Sequence, residues 1–180
     1  MLITLSGLPG SGTSTLARTV ASQLGIDHLD GGTVFRAMAA ERGLSLAEFA
    51  HVAEADDAID RALDDRLVER AREGEVLLES RLAGWLATRA GLAALRVWIH
   101  CDEEERARRV GGRDGHQPEE ALATNRRREA SERTRYLGFY GIDLTDLSPY
   151  DVILDSTDQA PDLLVAQVVE RAGGGPVEVT

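Results

Sequence analysis

Lysine is absent from this chain: all 20 basic residues are arginine. Every cationic contact to a ligand must therefore come from a planar, permanently charged fork or from the N-terminal amine. Cysteine occurs once, as Cys101, which excludes an internal disulfide and points to the reducing cytoplasm. Cys101 itself reads as a small buried hydrophobe near the end of a strand. No apolar run approaches the ~18 residues that cross a bilayer. The opening MLITLSGLPG has neither a basic leader nor a small-residue cleavage site, so no secretory signal is expected. Positive charge is also in deficit. A formal net charge of -11 argues against a nucleic-acid or membrane-surface binder, either of which needs a basic face. The histidines, His28, His51, His100 and His116, lack metal-ligand spacing and read as ordinary polar or strand residues.

What is present suits one globular domain. The 180 residues are 43% hydrophobic and 28% charged, enough for a sizeable core. Residues 2–6, LITLS, are apolar and β-branched and stop at Gly7, which predicts a short buried strand. Residues 13–24 follow as a helix, with Leu16, Val20 and Leu24 on one face and Gly25 as the stop. Further strands are expected at 27–29, 76–78, 95–100 and 152–154. Helices are expected at 33–42, 57–73, 103–111, 119–136 and 162–171. Such alternation implies an α/β fold with a parallel sheet covered on both faces. Two stretches fall outside this pattern. Residues 43–64 are acidic, helical and only partly apolar, and 111–118, GGRDGHQP, form a turn-rich break. Both read as appendages at the mouth of the sheet, where such folds bind ligands. The domain is expected to occupy residues 1–172, with 173–180 as a flexible tail.

Residues 7–14, GLPGSGTS, match the phosphate-loop spacing GxxxxG-x-[ST]. Gly7, Gly10 and Gly12 permit a tight loop through Pro9 and Ser11, with backbone N–H groups turned inward on phosphate oxygens. Ser14 would offer its hydroxyl to Mg²⁺, and Thr15 would start the helix or add a polar contact. One letter departs from the pattern. Thr13 stands where lysine normally neutralises the β and γ phosphates, and it supplies a hydrogen bond but no charge. The loop alone therefore implies phosphate binding and leaves turnover open. Arg18, one turn on, reads as a solvated helix charge.

Three later stretches carry arginine where an anionic substrate needs it. In DGGTVFR, residues 30–36, a turn opens a helix bearing Phe35 and Arg36. In LLESRLAG, residues 77–84, an apolar strand ends on Glu79, a carboxylate placed to meet a metal-bound water, followed by Arg81. In RRREASERTRY, residues 126–136, Arg128, Glu132 and Arg135 fall at i, i+4 and i+7 on one helical face. That face reads either as a salt-bridged surface or as a clamp for a phosphoryl group in transit.

The order GLPGSGTST, GGTVFR, LLESRLAGW and RRREASERTRYLGFYGIDLTDLSPYD resembles cytidylate kinases, most closely their compact archaeal-type group, over residues 1–156. The resemblance implies a P-loop NTPase three-layer fold of about five parallel strands. It also implies a helical monophosphate-binding insert near 32–72 and a short lid near 109–120. By matched position, Gly7, Pro9, Gly10, Ser11, Gly12, Thr13, Ser14 and Thr15 would hold the ATP phosphates. Arg36 and Arg81 would hold the acceptor phosphate, with Phe35 beside them. Arg109 and Arg113 would belong to the lid over ATP. Arg128 and Arg135 would bridge donor and acceptor phosphates. Glu132 would accept from the cytosine amino group, and Asp143 would shape the same wall, with Tyr140. Ser14 and Glu79 would serve Mg²⁺. Ser80 departs from the acidic-Gly-Arg pattern and bears on which acceptor fits.

The expectation is an ATP- and Mg²⁺-dependent kinase acting on CMP or dCMP, a monomer in the cytoplasm with a small-molecule substrate, no nucleic acid and no membrane partner. The alternatives are a kinase of this fold for a modified nucleotide or small metabolite, suggested by Ser80 and the acidic stretch 48–65, and a nucleotide-binding protein without catalysis, suggested by Thr13.

Overall fold

A computed structural model of the chain describes residues 1–173. The expected flexible tail lies, except for Gly173, outside the described residues. Five strands form one sheet in the order β2-β3-β1-β4-β5. They are β1 (Leu2–Gly7), β2 (Asp27–Asp30), β3 (Val76–Glu79), β4 (Leu95–His100) and β5 (Val152–Asp155), and every neighbouring pair runs parallel. Parallel neighbours require crossovers, and helices supply them: α1 (Thr13–Leu24), α2 (Gly31–Glu41), α3 (Leu46–Ala55), α4 (Asp57–Glu73), α5 (Ala83–Arg89), α6 (Glu103–Asp114) and α7 (Pro118–Tyr140), with α8 (Pro161–Gly173) following the last strand.

Both sheet faces are covered, and strand alternation sorts the side chains between them. Ile3, Leu5, Leu77, Val97, Ile99 and Leu154 meet Leu16, Ala17 and Val20 of α1 and Leu164, Val165 and Val168 of α8. Leu2, Val76 and Leu78 face the other way, onto Leu67 and Ala71 of α4 and Ala83 of α5. A separate small core sits among α2, α3 and α4, where Phe49 is fully buried with Met38, Ala39, Ala53 and Ile59 around it.

The acidic stretch at 43–64 resolves into two helices. Ser45 and Glu48 form a reciprocal capping box at the start of α3, and Asp56 caps α4 through Ala58 N–H. The break expected at 111–118 is shorter than its composition suggests. Gly111 and Gly112 remain helical within α6, which ends on Gly115 in the left-handed region. Gly111 is needed for space rather than for a turn: a Cβ there would lie 2.8 Å from the His116 carbonyl. The helix α7 runs on past 136 to Tyr140 and stops at left-handed Gly141. The two-turn α5 carries too few residues to show a helical period in the sequence.

The C-terminal ends of β1, β3 and β4 converge on one edge of the sheet. Here the loop after β1, Glu79 at the end of β3 and the start of α6 meet. An open parallel sheet places its ligand crevice at this edge.

Candidate active site

The loop between β1 and α1 turns on Gly10 and Gly12, with φ 87° and 88°. A Cβ on Gly7 would lie 2.8 Å from the Ile99 carbonyl, and one on Gly10 2.6 Å from the Arg106 carbonyl. Only glycine lets β4 and α6 approach the loop this closely. Arg106, a buried residue, fastens it from below by donating to the Pro9 carbonyl at 3.1 Å and to the Cys101 carbonyl at 3.1 Å, with Glu129 as its counter-charge. Ser156 donates to the Ser11 carbonyl at 2.9 Å. Thr13 is buried at the first position of α1, its methyl packed under Gly7. Ser14 and Thr15 are exposed on the open side. The cradle of amides at a helix N-terminus fits a chain of phosphates.

Ser14 donates to Glu79 Oε1 at 2.6 Å, so the two residues expected to serve a metal stand together at the start of α1 and the end of β3. The other carboxylate oxygen of Glu79 is 2.9 Å from His28 Nε2. His28 comes from β2, the strand beside β3, and it was not legible as a site residue. Its only sequence signal is a place near the end of a short strand. A hydroxyl and a carboxylate together are a hard oxygen set that suits Mg²⁺ with its own waters.

Arg81 follows β3 and joins both halves of the crevice. Its Nη1 donates to the Gly7 carbonyl at 2.9 Å and its Nε to Glu132 Oε2 at 2.9 Å. The second oxygen of Glu132 accepts from Arg128 Nε at 3.0 Å. Burial alone would push the Glu132 carboxyl up. The guanidiniums of Arg81 and Arg128 outweigh that and hold it below the usual carboxylate range. Both of its oxygens accept from arginine.

The predicted face of α7 is present, but its third member turns elsewhere. Arg135 is 4% exposed and donates to Asp60 Oδ1 of α4 at 2.8 Å. Its guanidinium lies over the Phe35 ring, 5.4 Å from the centroid, and Phe35 in turn stacks on Phe49 at 4.8 Å. Arg36 is exposed at the start of α2, where it donates to Thr33 Oγ1 at 2.7 Å and to the helix-capping Asp30 at 3.2 Å.

Arg109 and Arg113 part company. Arg109 lies in the body of α6, with Nη1 3.7 Å from the position of a Cβ on Gly12. It is held by Glu105 at 2.7 Å and by the Ser156 carbonyl at 2.6 Å. Arg113 sits in the last turn of α6, exposed and paired with its neighbour Asp114. Asp143 pairs with exposed Arg133 at 4.0 Å. It accepts from Thr145 N–H and hydroxyl at 2.9 and 2.8 Å in a local turn. Tyr140 donates to Asp64 at 2.6 Å, one turn along the face of α4 that carries Asp60.

Phosphate-loop amides, a hydroxyl–carboxylate pair and a row of arginines on a five-stranded parallel sheet define a P-loop phosphotransferase. The same fold is seen in the structure of shikimate kinase from Bacteroides thetaiotaomicron, with a TM-score of 0.60 at 14% identity over 96% of this chain and 97% of that one. The chain belongs to the cytidylate kinase-like family, whose model matches residues 2–158. It is 44% identical to the cytidylate kinase of Pyrococcus horikoshii over 168 residues, covering 93% of this chain and 86% of the relative. It is 47% identical to the cytidylate kinase of Halorubrum lacusprofundi over 173 residues, covering 93% and 89%.

Proposed function

We propose that this protein transfers the γ-phosphoryl group of ATP to the 5′-phosphate of CMP or dCMP, giving the nucleoside diphosphate and ADP. A single observation carries the reading. Arg81 donates to the carbonyl of Gly7, in the phosphate loop, and to Glu132, which also holds Arg128. The donor cradle and the acceptor-side arginines are thus one residue apart. The names of the archaeal relatives supply the acceptor class.

In the reaction an oxygen of the acceptor phosphate attacks the γ-phosphorus in line, and the bond to the β-bridging oxygen breaks, leaving ADP. Negative charge spreads over the transferring oxygens, so positioning and charge neutralisation do most of the work. The loop amides of 10–14 hold the donor phosphates. Ser14 and Glu79 would hold Mg²⁺, which when bound neutralises charge between the β and γ phosphates. Arg81 and Arg36 receive the acceptor phosphate. Arg128, 43% exposed along its side chain, is free to turn toward the transferring group while Glu132 keeps its base in place. Arg109 brings a fixed charge to the loop at Gly12, on the side left neutral by Thr13. The helices α2–α4 serve as the monophosphate-binding insert and the turn between α6 and α7 as the lid. Closure of that turn excludes water and prevents hydrolysis.

The test is an ADP-release assay with MgATP across CMP, dCMP, UMP, AMP and GMP. The expected result is turnover with cytidine monophosphates well above the rest. Absence of any diphosphate product overturns the proposal.

A further inference from the structure

Two arginines tie the phosphate loop to α7, and both use the same pattern of contacts. Arg81 donates to the Gly7 carbonyl and to Glu132. Arg106 donates to the Pro9 carbonyl and to Glu129, and its Nε donates to the Cys101 carbonyl just past β4. Glu129 and Glu132 are an i, i+3 pair on α7, so they share a face, and Arg128 adjoins Glu129 in the chain. The two ties differ in access. The Arg81 side chain is 17% exposed and borders the crevice, whereas that of Arg106 is 5% exposed.

The loop needs the Arg106 contact for its own shape. Amides can turn inward only if the carbonyls between them turn outward, and each outward carbonyl needs a donor. The Leu8 carbonyl takes the Ser11 N–H, the Gly12 carbonyl the Leu16 N–H, the Ser11 carbonyl the Ser156 hydroxyl and the Pro9 carbonyl Arg106. The Pro9 carbonyl and the Gly10 N–H belong to one trans peptide unit and point opposite ways. Holding that carbonyl outward therefore aims the Gly10 N–H inward. The helix bearing Arg106 also packs on α7, through Ala107 and Val110 against Ala121.

We infer that Arg106, through Glu129, is a positioning residue for phosphoryl transfer. It keeps α7, and with it Arg128, in register with the phosphate loop while Arg81 and Arg128 leave Glu132 for the phosphates. This rests on the reading of the chain as a nucleoside monophosphate kinase and names the part of the site that stays still. On that reading the acceptor phosphate draws on Arg81, so the exposed tie is broken when transfer occurs. Arg106 is buried behind the loop and bound to two carbonyls and a carboxylate, so no ligand competes for it.

The experiment measures kcat, KM and calorimetric ADP affinity for Glu129→Leu, Arg106→Met, Arg106→Lys and the Arg106→Met/Glu129→Leu double variant, with folding of each checked by thermal unfolding. Glu129→Leu should lower kcat by roughly 100-fold, because a misplaced Arg128 costs most at the transfer step. Its ADP affinity and its KM for CMP should stay within about threefold of wild type, since the loop keeps its Pro9 contact. Arg106→Met should lose as much kcat and also weaken ADP binding by about 10-fold, having released the loop as well. Arg106→Lys, which keeps a charged donor for Pro9 and Glu129, should recover part of both losses. The double variant should lose no more kcat than Arg106→Met, because the pair acts as one unit. Wild-type kcat in folded Glu129→Leu, or a fully multiplicative loss in the double variant, overturns the proposal. If the variants do not fold, a crystal structure of wild type with ADP and CMP decides it. Arg106 is expected still to hold Pro9 and Glu129 with Arg81 gone from Glu132; an Arg106 parted from Glu129 overturns the proposal. A wild type that turns over no nucleoside monophosphate shows instead that the underlying reading has failed, before any variant is made.

Discussion

Ser14 and Glu79 meet across 2.6 Å, although 65 residues separate them in the chain. One lies in the first turn of the helix behind the phosphate loop and the other ends the strand beside β1, so the pairing of β1 with β3 and the turn of the loop bring them together. If they act jointly on one metal ion, Ser14→Ala and Glu79→Gln should each lower kcat by on the order of 100-fold. The double variant should then lose much less than the product of the two. Steady-state rates for the four proteins over a range of Mg²⁺ concentrations check this. A fully multiplicative loss would show that the two residues serve separate ends.

His28 fixes the second oxygen of Glu79, and groups that orient a metal's partners matter to its affinity. His28→Leu should weaken the apparent Mg²⁺ affinity by about 10-fold. His28→Gln, which can place an N–H near the same oxygen, should recover part of it. Mn²⁺ binding to the ADP complex, followed by electron paramagnetic resonance, reads the effect without turnover. Equal affinities in wild type and His28→Leu would remove His28 from the site.

Arg109 brings positive charge to Gly12 where Thr13 does not. Arg109→Met should reduce kcat/KM for ATP by on the order of 100-fold, with little change in KM for CMP. Arg109→Lys should recover only a small part, because one guanidinium reaches Glu105, Ser156 and Thr157 together and an ammonium cannot span them. A loss confined to CMP binding would move Arg109 to the acceptor side.

The face of α4 that meets the end of α7 has a pH signature. Burial pushes Asp64 up to about 7, against the opposing hydrogen bond from Tyr140. Between the unfolded carboxyl's range near 4 and about 7, the native state keeps a proton that the unfolded chain has released. The unfolding free energy contributed by this group therefore falls as pH rises through that window, and the cost is fully present above it. Asp64→Asn should gain stability relative to wild type by a few kcal/mol between about pH 4 and about pH 8. Urea midpoints at the two pH values measure it, and a constant difference would rule it out.

The parts of this molecule legible from sequence were those set by local pattern. The phosphate loop follows from glycine spacing, β1 and α1 from their periodicity, and the Arg128–Glu132 pair from a single helical turn. Glu79 was readable because an acidic residue closed an apolar strand. The pairing of Arg135 with Asp60 was not, since 75 residues lie between them and only the packing of α4 against α7 brings them together. The bridging role expected of Arg135 rests on the face that it shares with Arg128 and on its matched position in the family resemblance. His28 was missed for the same reason, being joined to Glu79 by the alignment of β2 with β3.

Each arginine of the crevice already holds a carboxylate: Arg36 has Asp30, Arg81 and Arg128 share Glu132, Arg109 has Glu105 and Arg135 has Asp60. An arriving phosphate must therefore compete for a guanidinium that is engaged, and a singly charged anion competes poorly. The free protein is spared both the mutual repulsion of bare cations and occupation by stray ions. Only a ligand that presents several oxygens at once, at the right spacing, can exchange with enough of these partners to rearrange the row.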